Sequence, residues 1–188
     1  WRKRLATGVR GSLAKTNGLR DYSYKRPSRK QDAISSYDAS IVLPSLSPSG
    51  NPSVGFLVDT SGSVSQEELS LFANELLGVL NAIGFGGKIS VIGCDTRPSD
   101  VFFVKKAKDI PNLPLKGGGG TDLRPGLEKM RDEPRPSITV IATDGLTPWH
   151  ELAPDPNSDY IGLITEESAI SRVPRWITPI LIEGDTVD

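Results

Sequence analysis

Residues 56–63 read FLVDTSGS, an apolar run that stops at Asp59 and continues into Ser61 and Ser63, two hydroxyls at alternate positions. A second stretch, GGGGTD, carries four glycines at 117–120 followed by Thr121 and Asp122. A third, ATDG, presents Thr143 and Asp144. Brought together, these stretches offer carboxylate and hydroxyl oxygens and no nitrogen or sulfur. Such donors suit a hard divalent cation, above all Mg²⁺, which prefers octahedral oxygen coordination and keeps some of its water; Mn²⁺ or Ca²⁺ would use the same oxygens.

Each stretch has a plainer reading on its own. DTSGS can be a strand exit with Ser65 capping the next helix, and Asp144 can cap a turn with Gly145. The glycine run can be a linker or a phosphate cradle. A P-loop, however, needs Lys and then Ser or Thr after its glycines, whereas Thr121-Asp122 stands here and its carboxylate repels phosphate. A metal-dependent phosphoryl hydrolase of the haloacid dehalogenase type also begins with an aspartate at a strand tip. It needs a second acid two residues on, where this chain has Ser61. Ser-His-Asp hydrolysis would rest on His150, the one histidine, without a GxSxG elbow, and a zinc peptidase would need an HExxH that is absent. Trp149 and His150 read as a packed aromatic and a surface histidine, and Cys94 as a small core residue.

The elements around these stretches must bring them to one edge. VGFLVD (54–59), KISVIGC (88–94), SITVIATDG (137–145), YIGLIT (160–165) and WITPILIE (176–183) read as strands, the first and the ATDG strand as buried on both faces. Between the first two, apolar residues at Leu69, Phe72, Ala73, Leu76, Leu77, Leu80 and Ile83 predict an amphipathic helix, opened by a Ser65/Glu68 capping box. DVFFVKK (100–106) follows the second strand after a turn too short for a parallel crossover, so it predicts an antiparallel neighbour. TDLRPGLEKMRDE predicts a short helix with Pro125 in its first turn. IVLPS (41–45) predicts an added edge strand, because Pro44 is awkward in a central one. The order predicts an α/β, three-layer, doubly wound, Rossmann-like and mostly parallel sheet with one antiparallel strand. Ligand chemistry then belongs at the carboxyl ends of its strands.

Bulk properties bound the rest. With 188 residues, 37% of them hydrophobic, the chain can bury one good core. No apolar run approaches a membrane span. The chain starts at tryptophan, so it reads as a piece or processed product of a longer protein. One cysteine excludes an internal disulfide framework and favours a cytoplasmic setting. The net charge of −1 conceals an uneven distribution: residues 1–30 hold ten Lys or Arg against Asp21, about +9, which leaves about −10 for the remainder. Residues 1–36 therefore read as a basic extension or the tail of an upstream domain, with residues 37–188 as the main domain. A nucleic-acid arm is the sharper reading of the basic segment. It is set aside because base stacking would want more aromatics near the charges than this segment offers, Tyr22 and Tyr24 among them.

Taken in order, DTSGS, the Thr of GGGGTD and the Asp of ATDG resemble the metal-ion-dependent adhesion site of the von Willebrand factor A (VWA) family, over roughly residues 52–183. The resemblance implies that Ser61, Ser63 and Thr121 are hydroxyl ligands and that Asp59 and Asp144 act directly or through bound water. GGGGTDLRPGLE, TDGLTPW and the earlier YKRPSRK and VLPSL segments are similar to bacterial VWA-like proteins in which this domain follows a metallopeptidase-like one. What this implies is a Mg²⁺-dependent, non-enzymatic interaction module that binds an Asp or Glu of a protein partner. The alternative is a targeting or regulatory domain of a metallopeptidase-like enzyme or of a MoxR-type AAA+ ATPase system, with that ATPase as a partner.

Overall fold

A computed structural model of the chain describes residues 1–18, 20–28, 31, 42–48, 53–83, 89–113, 115 and 118–182. Its contacts divide the chain into two units, Trp1–Leu13 with Ser53–Asp188, and Ala14–Pro52. In the smaller unit, β1 (Arg20–Pro27) pairs antiparallel with β2 (Pro44–Pro48), Tyr22 opposite Leu46, with an irregularity between Ser23 and Pro27. The strand expected at 41–45 thus begins at Pro44, and its partner is β1 rather than an edge of the large sheet. Prolines at strand ends are tolerated because a two-stranded ribbon leaves outward backbone positions unpaired.

The larger unit is built on β3 (Val54–Asp59), α2 (Gln66–Ile83), β4 (Ile89–Cys94), β5 (Phe102–Val104), α3 (Arg124–Asp132), β6 (Ile138–Thr143), β7 (Asp159–Ile164) and β8 (Ile177–Leu181). Its six strands lie in the order β5-β4-β3-β6-β7-β8, all neighbours parallel except the antiparallel β4–β5 pair. The expected three-layer sheet with one antiparallel strand is therefore present. β3, β4 and β6 are buried at every residue, as strands covered on both faces must be. Alternation divides their side chains: Val54, Phe56, Val58, Val91 and Val140 join one core with Phe72 and Leu76 of α2, while Leu57, Ile92 and Ile141 join the other with Leu127 and Met130 of α3.

α1 (Arg2–Gly18) emerges from the segment that reads as a basic extension. Its Leu5, Val9 and Leu13 stand four residues apart and are buried in the same core as α2. A methyl group at Gly8 would come within 2.8 Å of Ile161 Cδ1, so this helix lies close against β7. The segment is polar except for one narrow apolar stripe, and that stripe is what packs.

The chain leaves β3 towards β4 on one side and leaves β6 towards β7 on the other. The carboxyl ends of β3 and β6 therefore flank the topological switch point, where a doubly wound sheet opens a crevice. Asp59 is the last residue of β3, and Asp144 follows the last residue of β6.

Candidate metal centre

Three loops meet at this crevice, and backbone and side-chain hydrogen bonds tie them into a closed ring. Gly118 N donates to Thr60 O at 3.0 Å and Gly62 N to Gly119 O at 3.0 Å, seating the glycine loop along the DTSGS turn. Leu123 N donates to Thr147 Oγ1 at 3.2 Å, joining the second loop to the third. Thr143 Oγ1 donates to Asp59 Oδ2 at 2.6 Å, joining the third to the first. Gly62 is explained by this docking: its Cβ would lie 3.3 Å from Gly118 O, so a side chain would push the loops apart. The left-handed backbone in these loops falls instead on Gly118 (φ 121°) and Gly145 (φ 84°).

Within the ring, Asp59 is fully buried and Ser61 and Asp144 are nearly so. Asp59 Oδ1 accepts from the Ser61 amide at 2.9 Å. Ser61 Oγ and Ser63 Oγ lie 3.0 Å apart, about the separation of adjacent vertices in an octahedron with metal–oxygen distances of about 2.1 Å. Asp144 Oδ1 accepts from Leu146 N at 2.8 Å, whereas Asp144 Oδ2 is buried without a hydrogen-bond partner. Thr121 is half-buried beside the glycine loop; Gly117 lies outside the described residues. Asp122 is bonded through both oxygens to the Arg124 guanidinium at 2.9 and 2.8 Å, which holds its carboxyl below the usual range.

Thr143 is a participant that the sequence reading left within its loop. Its hydroxyl sits between the two acids, 2.6 Å from Asp59 Oδ2 and 3.5 Å from Asp144 Oδ1, and accepts from Gly145 N at 3.0 Å. With a single proton it serves one carboxylate and leaves the other short of a donor. A period-two count along β6 places Thr143 on the same side of the sheet as Ile141, the side that Leu57 and Asp59 share on β3. That count is the signal that could have found it. Asp95 is a second: its carbonyl accepts from Asp122 N at 2.6 Å, and Gly119 approaches so closely that a Cβ there would meet Asp95 Oδ2 at 2.7 Å.

The electrostatics follow from this packing. Burial pushes the Asp59 carboxyl above its ordinary range, and the Asp144 charge adds to the rise. Hydrogen bonds from the Ser61 and Thr143 hydroxyls and from the Ser61 amide offset this only in part. Cys94, buried at the end of β4, has its thiol pushed up to about 12, chiefly by desolvation, and is a core residue rather than a nucleophile. Trp149 stacks edge-on against Trp176 at 6.5 Å, and His150 is half-buried with Nε2 3.7 Å from Glu128. Among the described residues no three His, Cys, Asp or Glu side chains gather as a zinc or carboxylate-rich site would require. Two acids with hydroxyls are a different donor set, whose chemistry is oxygen only. No helix among the described residues is long and apolar enough to cross a membrane.

This sheet order, with its carboxylate-tipped β3 and β6, defines an α/β domain of the VWA-like class. The chain belongs to the family described as VWA-like domain (DUF2201), whose model matches residues 54–183. It is also similar to an uncharacterized protein of Thermotoga maritima, 32% identical over 96 residues, which are 51% of this chain and 23% of that protein. The match thus spans about a quarter of the relative's length.

Proposed function

We propose that the domain is a Mg²⁺-dependent protein-interaction module in which Asp59, Ser61, Ser63, Thr121 and Asp144 hold the cation and a partner's Asp or Glu completes its shell. The observation that carries this reading is the pair of buried carboxylates at the switch point. Both lie in the crevice, one proton donor stands between them, and Asp144 Oδ2 has no partner. Two buried negative charges without a cation are costly, and a divalent ion compensates both. The residues present suit such an ion: oxygen donors throughout and a serine pair at octahedral spacing. Bound there, the cation would supply a positive centre for an incoming carboxylate. The protein's part is to fix the serine hydroxyls and to hold both acids close at the crevice.

We further propose that the domain catalyses nothing. The position two residues beyond Asp59 is Ser61, whose hydroxyl faces Ser63, so no general acid stands there. Its place as a module of a larger chain, acting for a metallopeptidase-like domain or with a MoxR-type AAA+ ATPase, is supported by the resemblance and by a match that spans a quarter of its relative. The testing experiment is thermal unfolding and titration calorimetry with Mg²⁺, Mn²⁺ and Ca²⁺. Binding with a rise in melting temperature is expected. No binding of any of the three, with an unmoved curve, overturns the reading. Turnover of a phosphate ester, ATP or casein that is lost in Asp59→Asn would overturn the non-enzymatic assignment.

A further inference from the structure

A fourth loop, between β4 and β5, borders the candidate metal site. β4 lies beside β3 with Cys94 opposite Asp59, so Asp95, the first residue after β4, leaves the sheet next to the DTSGS turn. Thr60 N donates to Cys94 O at 2.9 Å, which holds the two exits together. The Asp95 side chain is fixed locally: its Oδ1 accepts from the Thr96 amide and from the Arg97 amide at 2.9 Å, an Asx turn that leaves the carboxylate little freedom. The Arg97 amide first, then that of Thr96 and to a smaller extent that of Gly119, hold its carboxyl below the ordinary range.

The glycine loop is threaded between this carboxylate and the DTSGS turn. On one side, Gly119 O accepts from Gly62 N at 3.0 Å. On the other, a Cβ at Gly119 would lie 2.7 Å from Asp95 Oδ2 and 3.2 Å from its Cγ, and one at Gly120 would lie 3.2 Å from Thr96 Cγ2. Beyond Thr121, Asp122 N donates to Asp95 O at 2.6 Å. Ser61 and Ser63 share one short turn with Asp59, but Thr121 follows a run of glycines, the residues with the most backbone freedom to lose. Its place therefore has to be set by what grips the chain on either side of it. We infer that Asp95 is a positioning residue for the metal site: with Gly119 seated against its carboxylate and Asp122 on its carbonyl, it sets the place of Thr121. The role toward the ion rests on the Mg²⁺ reading, whereas the seat does not.

The test uses the whole chain in two measurements. Calorimetric titration of Mg²⁺ compares the parent with Asp95→Ala, Thr121→Ala and the double variant. Asp95→Ala is expected to weaken binding on the order of tenfold, as loss of a residue that supports a ligand does. The double variant should bind no more weakly than Thr121→Ala alone, because the two residues act as one unit. Thermal unfolding in EDTA compares Gly119→Ala in the parent and in Asp95→Ala. The added methyl should lower the melting temperature by roughly 3 °C or more in the parent, and by less than half as much once the carboxylate it meets is gone. Independent losses for Asp95→Ala and Thr121→Ala overturn the action through Thr121, as does an unchanged Mg²⁺ affinity in Asp95→Ala. An equal cost of Gly119→Ala in both backgrounds overturns the seat. Should Asp95→Ala not fold, Gly119→Ala disturbs the same seat from the loop side, and an unchanged Mg²⁺ affinity there overturns the proposal. Absence of Mg²⁺ binding by the parent overturns the Mg²⁺ reading and the role toward the ion with it, while the EDTA pair decides the seat separately.

Discussion

The two ends of the same sheet treat a buried aspartate in opposite ways. At the amino end, Asp155 stands in the β6–β7 connection and its oxygens are used: Asn157 N at 2.9 Å, Asn157 Nδ2 at 3.3 Å and the Arg135 guanidinium at 3.5 Å. Its carboxyl is held below the ordinary range, the Asn157 amide first among the causes. At the carboxyl end, Asp59 is pushed up by burial, and its neighbour Asp144 has an oxygen with no partner. A salt bridge and an amide finish the first site. The second has no such partner for Asp144 Oδ2, and the difference is what the proposed cation would make good.

The largest expected effect breaks the comparison at the carboxyl end. A cation that binds only the folded state stabilises it by roughly 2.7 kcal/mol at a hundredfold excess over its dissociation constant. For a domain of this size that is a rise of roughly 5–10 °C. Asp59→Ala and Asp144→Ala should abolish the rise, because the remaining carboxylate compensates only half of a divalent charge. Ser61→Ala, Ser63→Ala and Thr121→Ala should reduce it, since water can replace a neutral donor. Differential scanning fluorimetry across a Mg²⁺ series measures all five. A full rise in Asp144→Ala would mean that the ion sits elsewhere.

Next in size is a change at the amino end, where no cation is involved. Asp155→Ala leaves the Asn157 amide and Arg135 without their acceptor and should cost about 2 kcal/mol, equally with and without Mg²⁺. Urea unfolding in Mg²⁺ and in EDTA measures it. A loss confined to Mg²⁺ would erase the distinction between the two ends.

Much of this arrangement was legible in the sequence because it rests on local signals. β3 and β6 are short apolar runs that end in a carboxylate, and α2 has its 3.6-residue spacing with a cap that forms as expected, Glu68 N to Ser65 Oγ at 3.2 Å and Ser65 N to Glu68 Oε2 at 2.8 Å. What was not legible depends on distant partners. Leu5, Val9 and Leu13 are three apolar residues in a strongly basic stretch, and only their burial in the sheet core makes α1 up to Leu13 part of the larger unit. β2 shifted towards Pro48 because its partner is β1, which composition did not reveal. Thr143 gained its place between the acids only when β6 lay beside β3. The need for glycine at 62 likewise comes from a distant partner, the glycine loop that docks onto it.

A third, smaller effect sharpens the contrast through pH. Asp59→Asn keeps the shape and the Ser61 amide bond but removes a buried charge, so the metal-free protein should gain about 1 kcal/mol near neutral pH while losing its response to Mg²⁺. The sign with pH follows from the raised Asp59 value. Below the ordinary carboxylate pKa of about 3.9 the wild-type group is protonated in both folded and unfolded states, and the variant gains nothing. As pH rises from there through the raised folded value, the wild type must ionise a buried group, and the advantage of Asn grows and then levels. Asp155 works in the reverse sense: its contribution is present above the ordinary value and is lost as pH falls through its lowered one. Chemical unfolding in EDTA across the acid range measures both. An Asp59→Asn advantage that shrinks as pH rises would contradict the assigned direction.

The smallest expected effect concerns Asp122, which stands next to Thr121 and belongs by sequence to the same constellation. Its carboxylate is already compensated: Arg124 approaches through Nε and a terminal nitrogen, and the Arg124 amide donates at 3.0 Å. Both side chains reach solvent, where such a pair contributes at most about 1 kcal/mol. Asp122→Asn keeps an acceptor for the Arg124 amide and removes only the charge, so stability should fall by less than about 1 kcal/mol and Mg²⁺ affinity should change less than about threefold. Calorimetric titration of Mg²⁺ into the variant decides it. A tenfold loss would place Asp122 among the charges that hold the ion, and the paired and unpaired carboxylates at this end would no longer divide as Arg124 divides them.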